Sequence, residues 1–316
     1  MRAPPTSSTD SATTPLLVAA FTALYLAWGS TYLAIRIVVE TLPPFLMAAL
    51  RFVIAGGLLL LFLRWRGQPW PTRQQWRTGA LVGTLLLFGG NGLVSWSEQS
   101  VASGLTALIL ATTPLWFVVL EWLPPWHKRP TPSTVAGLIL GFLGVIILIS
   151  RPDSNPANGP EWSWTGIGVL LSACVFWSTG SLFQRRAGWS ASPAMNAAVQ
   201  MLCGAASLTL AGSLTGEWSR LQLAAFSPKA LAALAYLVVF GSWVGFGAYV
   251  WLLKHTTPTR LATYAYVNPV IAVLLGWLVL NEPVTLRILW AGLCILTSVL
   301  IVQWPRPKSK SSPPKK

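Results

Sequence analysis

Charge is scarce in this sequence. Only 9% of the 316 residues are Asp, Glu, Lys or Arg, and acids are the scarcer sign, with eight Asp and Glu against 22 Lys and Arg. A soluble domain ordinarily carries about 25% charged residues, so the shortage excludes a water-soluble enzyme and a disordered chain. Histidine stops at two residues and cysteine at three. His127 and His255 fall in separate hydrophilic joints, while Cys174, Cys203 and Cys294 each lie inside an apolar run with no C-x-x-C pair. Neither a zinc site nor a disulfide framework is expected, and the cysteines read as small buried hydrophobes. No Walker loop is present, which excludes ATP-driven transport by this chain. No nucleophile–base pair or metal set points to a membrane-embedded enzyme, and no cofactor is implied.

What the chain has in abundance is apolar length. Hydrophobic residues make up 53% and the mean hydropathy is +0.59. Ten apolar runs lie at roughly 16–36, 43–63, 79–98, 103–122, 133–150, 163–183, 193–213, 229–252, 259–279 and 284–303. Each approaches the 20 or so residues that a helix needs to cross a bilayer. Prolines punctuate the joints, as at Pro43-Pro44, Pro124-Pro125, Pro258 and Pro283. Residues 1–15, rich in Pro, Ser and Thr, form a disordered tail. The run that follows is longer than a signal-peptide core, so it reads as the first span.

The net charge of +14 reads as cytoplasmic loop charge rather than as a nucleic-acid surface. With the N-terminus in the cytoplasm, sixteen of the 22 Lys and Arg fall at cytoplasmic ends and tails and five at outer ends. Arg51 lies within a span. This bias puts both termini, including a basic tail at 305–316, inside an inner-membrane protein, and it favours an even number of spans. Ten of the 18 Trp fall near span ends as interface anchors.

The chain also repeats itself. At an offset of 155 residues, Gly90, Trp96, Pro114, Trp122 and Gly137 recur as Gly245, Trp251, Pro269, Trp277 and Gly292. Near the start of each half the offset is 149, matching Trp28, Arg36 and Pro44 to Trp177, Arg185 and Pro193. Each repeat, 16–150 and 160–304, holds five spans, an odd number. The second therefore enters the membrane upside down relative to the first. The expected fold is an all-α integral membrane protein of ten transmembrane helices in two inverted five-helix repeats. Such repeats supply the two similar-energy states that alternating access needs.

Several motifs carry a family likeness: Trp28-Gly29-Ser30, Leu50-Arg51-Phe52, the stretch Ser103 to Pro114, and Arg260 to Asn268-Pro269 followed by Leu280-Asn281-Glu282-Pro283. On these, over about residues 16–303, the sequence resembles the EamA-type transporters of the drug/metabolite transporter superfamily. The resemblance implies export or exchange of small metabolites, often amino acids or related compounds. One departure stands out: the position matching Glu282 in the first half is His127, so the acidic turn occurs once.

The candidate site is central. Pro114 and Pro269 each remove a helix hydrogen bond, which frees the carbonyls of Leu110 and Ala265. Matched breaks in two repeats point to a binding site between them. Thr112, Thr113 and Asn268 flank the breaks. Thr259, Thr263 and Tyr266 share one helical face, which serves either a cavity or helix packing. Arg51 lies about 10 Å below the outer end of its span, and a charge at that depth is usually functional. It suits a substrate carboxylate, or a gate closed by Glu40 or Glu98. Trp28, Trp177, Trp243, Tyr264 and Tyr266 suit an amphipathic cavity wall or packed and lipid-facing positions, with Ser30, Asn91, Gln184 and Gln200 as hydrogen-bonding groups. The Gly137/Gly141 and Gly241/Gly245 pairs let helices approach closely, within one chain or in a homodimer.

All eight acids lie at span ends, in loops or in tails, so a deep carboxylate relay is not evident. Facilitated exchange and proton coupling through Glu98 both remain open. The expected activity is alternating-access export or exchange of zwitterionic or anionic metabolites. Its alternative is a drug or cationic-compound exporter of the same superfamily, which the missing deep acid disfavours. A channel would want a selectivity ring that this sequence does not suggest.

Overall fold

A computed structural model describes residues 10–125, 129–150, 163–186, 192–221, 226–256, 261 and 263–303. The basic tail at 305–316, most of the N-terminal tail and His127 lie outside them. Among the described residues all regular structure is helical. Nine helices are long and apolar enough to span a bilayer: Pro15–Val39, Pro44–Trp65, Arg73–Ser97, Ser103–Trp122, Pro132–Ile149, Trp164–Arg186, Pro193–Leu214, Pro228–Tyr249 and Leu286–Gln303. The shorter apolar helix Tyr264–Leu280 completes the ten-helix arrangement as the ninth in order. Its 17 residues rise about 26 Å. The fold class and the places of the ten spans are those that the apolar runs predict.

Proline sets the boundaries. Pro44, Pro132, Pro193 and Pro228 each open a span as its first helical residue, where the missing N–H costs nothing. Serines hold the starts of the seventh and eighth spans: Ser192 Oγ accepts from Met195 N and Ser227 Oγ from Ala230 N. Along the outside, large apolar side chains such as Leu61, Phe62, Leu143, Leu210, Leu278 and Leu293 stand exposed. In water this would be an aggregating surface; against lipid it carries no such penalty.

Glycine sets the closest approaches. Gly137, Gly141 and Gly144 seat the fifth span on Ser298, Leu115 and Ile295, so the first GxxxG pair packs within the chain. At the crossing of the third and seventh spans, a Cβ on Gly83 would lie 3.1 Å from Gly204 N and closer still to Gln200 O. Backbone cannot give way as a side chain can. Gly83→Ala should therefore lower stability by about 1–3 kcal/mol, read as a lower melting temperature of the solubilised protein. Gly57, in open space, is the control: Gly57→Ala should melt no earlier than wild type.

Several spans are not plain α-helices. The first breaks at Ser30 between Asp10–Gly29 and Thr31–Val39. The fourth breaks between Ser103–Leu110 and Thr113–Trp122. The third and eighth carry π-helical segments, Thr84–Gly92 and Leu237–Val244, at nearly corresponding places in the two halves. Such segments widen a helix and turn it out of register, and they gather at functional sites. The matched prolines act differently. Pro114 stands just after a real break, whereas Pro269 sits inside the continuous helix Tyr264–Leu280.

Candidate functional site

The irregular helices converge on one cavity of about 220 Å³, lined by residues of the first four spans and of the sixth to ninth. Arg51 is its deepest charge. The side chain is 4% exposed, and among the described residues no carboxylate lies within ion-pair distance. Its Nε donates to Ser242 Oγ at 3.1 Å and its Nη1 to Asn91 Oδ1 at 3.5 Å, while its guanidinium lies 4.8 Å from the Phe52 ring centre. The π segments supply both polar partners. Ser242 donates in turn to Leu237 O, five residues back, which anchors it while it accepts from Arg51. A Cβ on Gly241 would lie 2.8 Å from Arg51 Nη2, so glycine there makes room for the guanidinium.

Trp28 forms an aromatic wall. Its indole N–H donates to Gly241 O at 3.2 Å. The ring stacks on Tyr249 at 5.4 Å and meets Tyr264 edge-on at 5.2 Å. A Cβ on Gly245 would collide with the Trp28 indole. Gly241 and Gly245, read from sequence as a packing pair, therefore seat Arg51 and Trp28. Across the cavity, Trp177 packs beside Gly90, and Thr113, Pro114, Asn268 and Pro269 complete the lining.

Of the residues singled out in the sequence, Trp28, Arg51, Asn91, Thr113, Pro114, Trp177, Tyr264, Asn268 and Pro269 meet at this cavity. Trp243 does not: its indole N–H donates to Ala55 O at 3.1 Å, against the second span. Ser30 bonds Tyr236 Oη at 2.6 Å, and Tyr266 Oη donates to Val299 O at 3.2 Å on the tenth span. Thr263 bonds Tyr25 on the first span, so the described part of the Thr259/Thr263/Tyr266 stripe serves helix packing. Thr112 turns back to Ile109 O at 2.6 Å. The Leu110 carbonyl expected to be free is taken by Thr113 Oγ1 at 2.6 Å, because a hydroxyl at the break can replace the N–H that Pro114 lacks. Tyr32 and Ser242 are lining residues that the sequence reading passed over. Tyr32 lies one helical turn from Trp28, and that spacing marks it.

One end of the cavity is roofed. Ile35, Val38, Ser97, Glu98 and Val101 are all buried there. Arg36 reaches this roof but donates to the backbone carbonyl of Glu98. Both carboxylate oxygens of Glu98 lack a hydrogen-bond partner among the described residues, and Arg51 does not pair with them. Glu40 is exposed and takes no part. At the other end Phe117 lines the cavity and Arg185, 60% exposed, stands over its ring. The cavity thus approaches open surface there. Arg185 also pairs with Glu121 at 2.7 Å.

Two more acids tie the roofed end. Asn281 adopts a left-handed φ of 54°, closing the ninth helix so that Glu282 N–H returns to Gly276 O at 3.1 Å. The Glu282 carboxylate then accepts from Ser103 N at 2.8 Å and Gly104 N at 3.0 Å, at the start of the fourth span. Gly276 is required because a Cβ would collide with that carboxylate. Glu217, fully buried, accepts from Phe45 N at 3.3 Å and Leu46 N at 2.9 Å, at the start of the second span. Sequence gave no sign of either pairing beyond the LNEP turn itself.

Comparison with known proteins agrees with this architecture. The profile of the EamA-like transporter family matches residues 13–150 and 164–304. The uncharacterized inner membrane transporter YedA of Escherichia coli (strain K12) is 37% identical over 290 residues, covering 91% of this chain and 90% of its own. The uncharacterized transporter YvbV of Bacillus subtilis (strain 168) is 26% identical over 283 residues, 88% of each chain. One solved crystal structure shares the fold at a TM-score of 0.60 and 23% identity, over 92% of this chain and 97% of its own.

Proposed function

Because the chain belongs to the EamA-like transporter family and is therefore a membrane transporter, we propose that it exports or exchanges small zwitterionic or anionic metabolites by alternating access. The substrate binds in the central cavity, between two inverted repeats. The observation that carries this reading is the buried guanidinium of Arg51, held at the cavity by two neutral groups and, among the described residues, by no acid. A buried cation without a counter-ion is costly, and a substrate carboxylate would complete it. By the charge bias of the loops, both termini face the cytoplasm, and the end roofed by Arg36 and Glu98 faces outward. Glu98, Arg36 and Arg51 are the candidates for gating or coupling, Glu98 because its buried carboxylate has no hydrogen-bond partner among the described residues.

The test is counterflow. Cells expressing the protein are compared with empty-vector cells for metabolites gained outside. Each gained compound is then loaded into proteoliposomes. The expected result is saturable uptake of labelled compound driven by unlabelled compound inside. Unitary currents without counterflow would replace the carrier by a channel. Counterflow of organic cations alone would move the assignment to the cationic branch of the superfamily.

A further inference from the structure

We propose that the cavity is a two-point site for an organic acid that also carries a hydrogen-bond donor, and that Asn268 is the residue that reads the donor. This deepens the carrier reading above and rests on it.

The first point is Arg51, whose guanidinium lines the cavity with no acid paired to it among the described residues and suits a carboxylate. The second is set by Asn268. Its side chain is 5% exposed and lines the cavity, yet Oδ1 has no hydrogen-bond partner among the described residues. A buried acceptor left empty is uncommon in a folded protein and calls for a physical reason. The hydroxyls of Thr113 and Ser242, which line the same cavity, are committed elsewhere, to Leu110 O and Leu237 O. The next residue, Pro269, has no N–H, so this turn of the ninth helix lacks the bond to the Ala265 carbonyl, and Ala265 also lines the cavity. The ninth helix therefore offers acceptors to the same cavity that holds the Arg51 cation.

Trp28 and Tyr264 add an aromatic face, and among the described residues no Asp or Glu lines the cavity. The matching solute has a carboxylate, an apolar body and an N–H or O–H group. A pocket that hydrogen-bonds a substrate donor discriminates strongly against the analogue without it, because the protein group is then buried unpaired. Plain carboxylates should bind as poor substrates, and carboxylate-free amines hardly at all.

The experiment uses the full chain in lipid nanodiscs, titrated calorimetrically with four probes of one skeleton. 3-Phenylpropanoate, ionised at neutral pH, has no hydrogen-bond donor. 3-Phenyllactate adds an α-hydroxyl, 3-(4-hydroxyphenyl)propanoate a distal hydroxyl, and phenylalanine an α-ammonium. At least one donor-bearing probe should bind wild type tenfold or more tightly than 3-phenylpropanoate. In Asn268→Ala that advantage should shrink below twofold, with 3-phenylpropanoate affinity unchanged. If Asn268→Ala does not fold, Asn268→Asp, which keeps an acceptor oxygen in the same shape, should keep the advantage. Equal binding of all four probes, binding of none, an advantage that survives in Asn268→Ala, or its loss in Asn268→Asp would overturn the proposal. Counterflow of exported solutes is measured separately. If it persists while the probes fail, the two-point site falls and the carrier stands; if it is absent while the probes bind as expected, the carrier falls and the site stands.

Discussion

Arg51→Ala should cut counterflow of the exported compound by roughly 10²–10³-fold, at a membrane abundance equal to wild type and with no loss of thermal stability. The two halves of that result come from one geometry. The guanidinium is buried against Ser242, Asn91 and the Phe52 ring, all neutral, so among the described residues the empty protein carries a desolvated cation with no counter-ion. Removing it relieves a cost, as replacement of buried charges often does. Binding loses what the cation supplies to a substrate carboxylate. Breaking a buried, hydrogen-bonded charge pair costs about 2–5 kcal/mol, and each 1.4 kcal/mol is about tenfold. Arg51→Lys should fall between, since the ammonium keeps the charge but loses the planar fork that meets Ser242 and Asn91 together. Proteoliposome counterflow and a melting curve on the same preparation give both readings. Wild-type transport by Arg51→Ala would remove this residue from the site.

Glu282→Ala should melt earlier by an amount corresponding to about 2–4 kcal/mol, from two hydrogen bonds of a charged acceptor. The bonds run to Ser103 N and Gly104 N at 2.8 and 3.0 Å, the first donors of the fourth span, where a negative charge also meets the positive end of a helix dipole. Glu282→Gln should recover part of the loss. Hydrogen exchange separates the local effect from a global one. Amides at Ser103 and Gly104 should lose protection at once in Glu282→Ala, while the amides of Phe45 and Leu46, held by Glu217, should keep theirs. Unchanged exchange at Ser103 would show that the carboxylate is dispensable there.

Sequence made the frame legible because its signals are local. A proline that opens a helix, an apolar run, and the sign of a loop's charge each act within a few residues. Arg51 was legible for the same reason: depth along a helix is simple counting. Its partners were not, because Ser242 is 191 residues away and its position depends on a π segment. A π turn has no composition of its own; it records how third and eighth helices pack around Arg51 and Trp28. Trp243 shows the complementary failure. Beside Trp28 it looks equivalent in composition, yet it lies in the wider π segment of the eighth span and its indole N–H bonds Ala55 O on the second. The pairing of Glu282 with Ser103 spans 179 residues, and only tertiary packing determines it.

The helix-start contacts also differ between the two ends of the molecule. At the 149-residue offset Pro44 corresponds to Pro193 and Glu217 to Gln68. Where Glu217 grips two backbone amides, Gln68 Oε1 accepts from the hydroxyl of Ser192 at 2.8 Å. A carboxylate at one helix start thus stands against an amide at the other, and the two corresponding starts are held with unequal strength. On the alternating-access reading proposed above, unequal strength would mean unequal waiting times: if these contacts part on opening, the form shut at the carboxylate end should be the more populated and the slower to leave. Such a bias makes the apparent affinity for solute differ between the two faces, because each face sees its own fraction of competent molecules. It leaves the final distribution of solute untouched, since a catalyst of movement cannot shift an equilibrium. The direction of net flux must therefore come from the concentrations on either side or from a coupled ion, and the asymmetry of the helix-start contacts sets only how quickly each face responds.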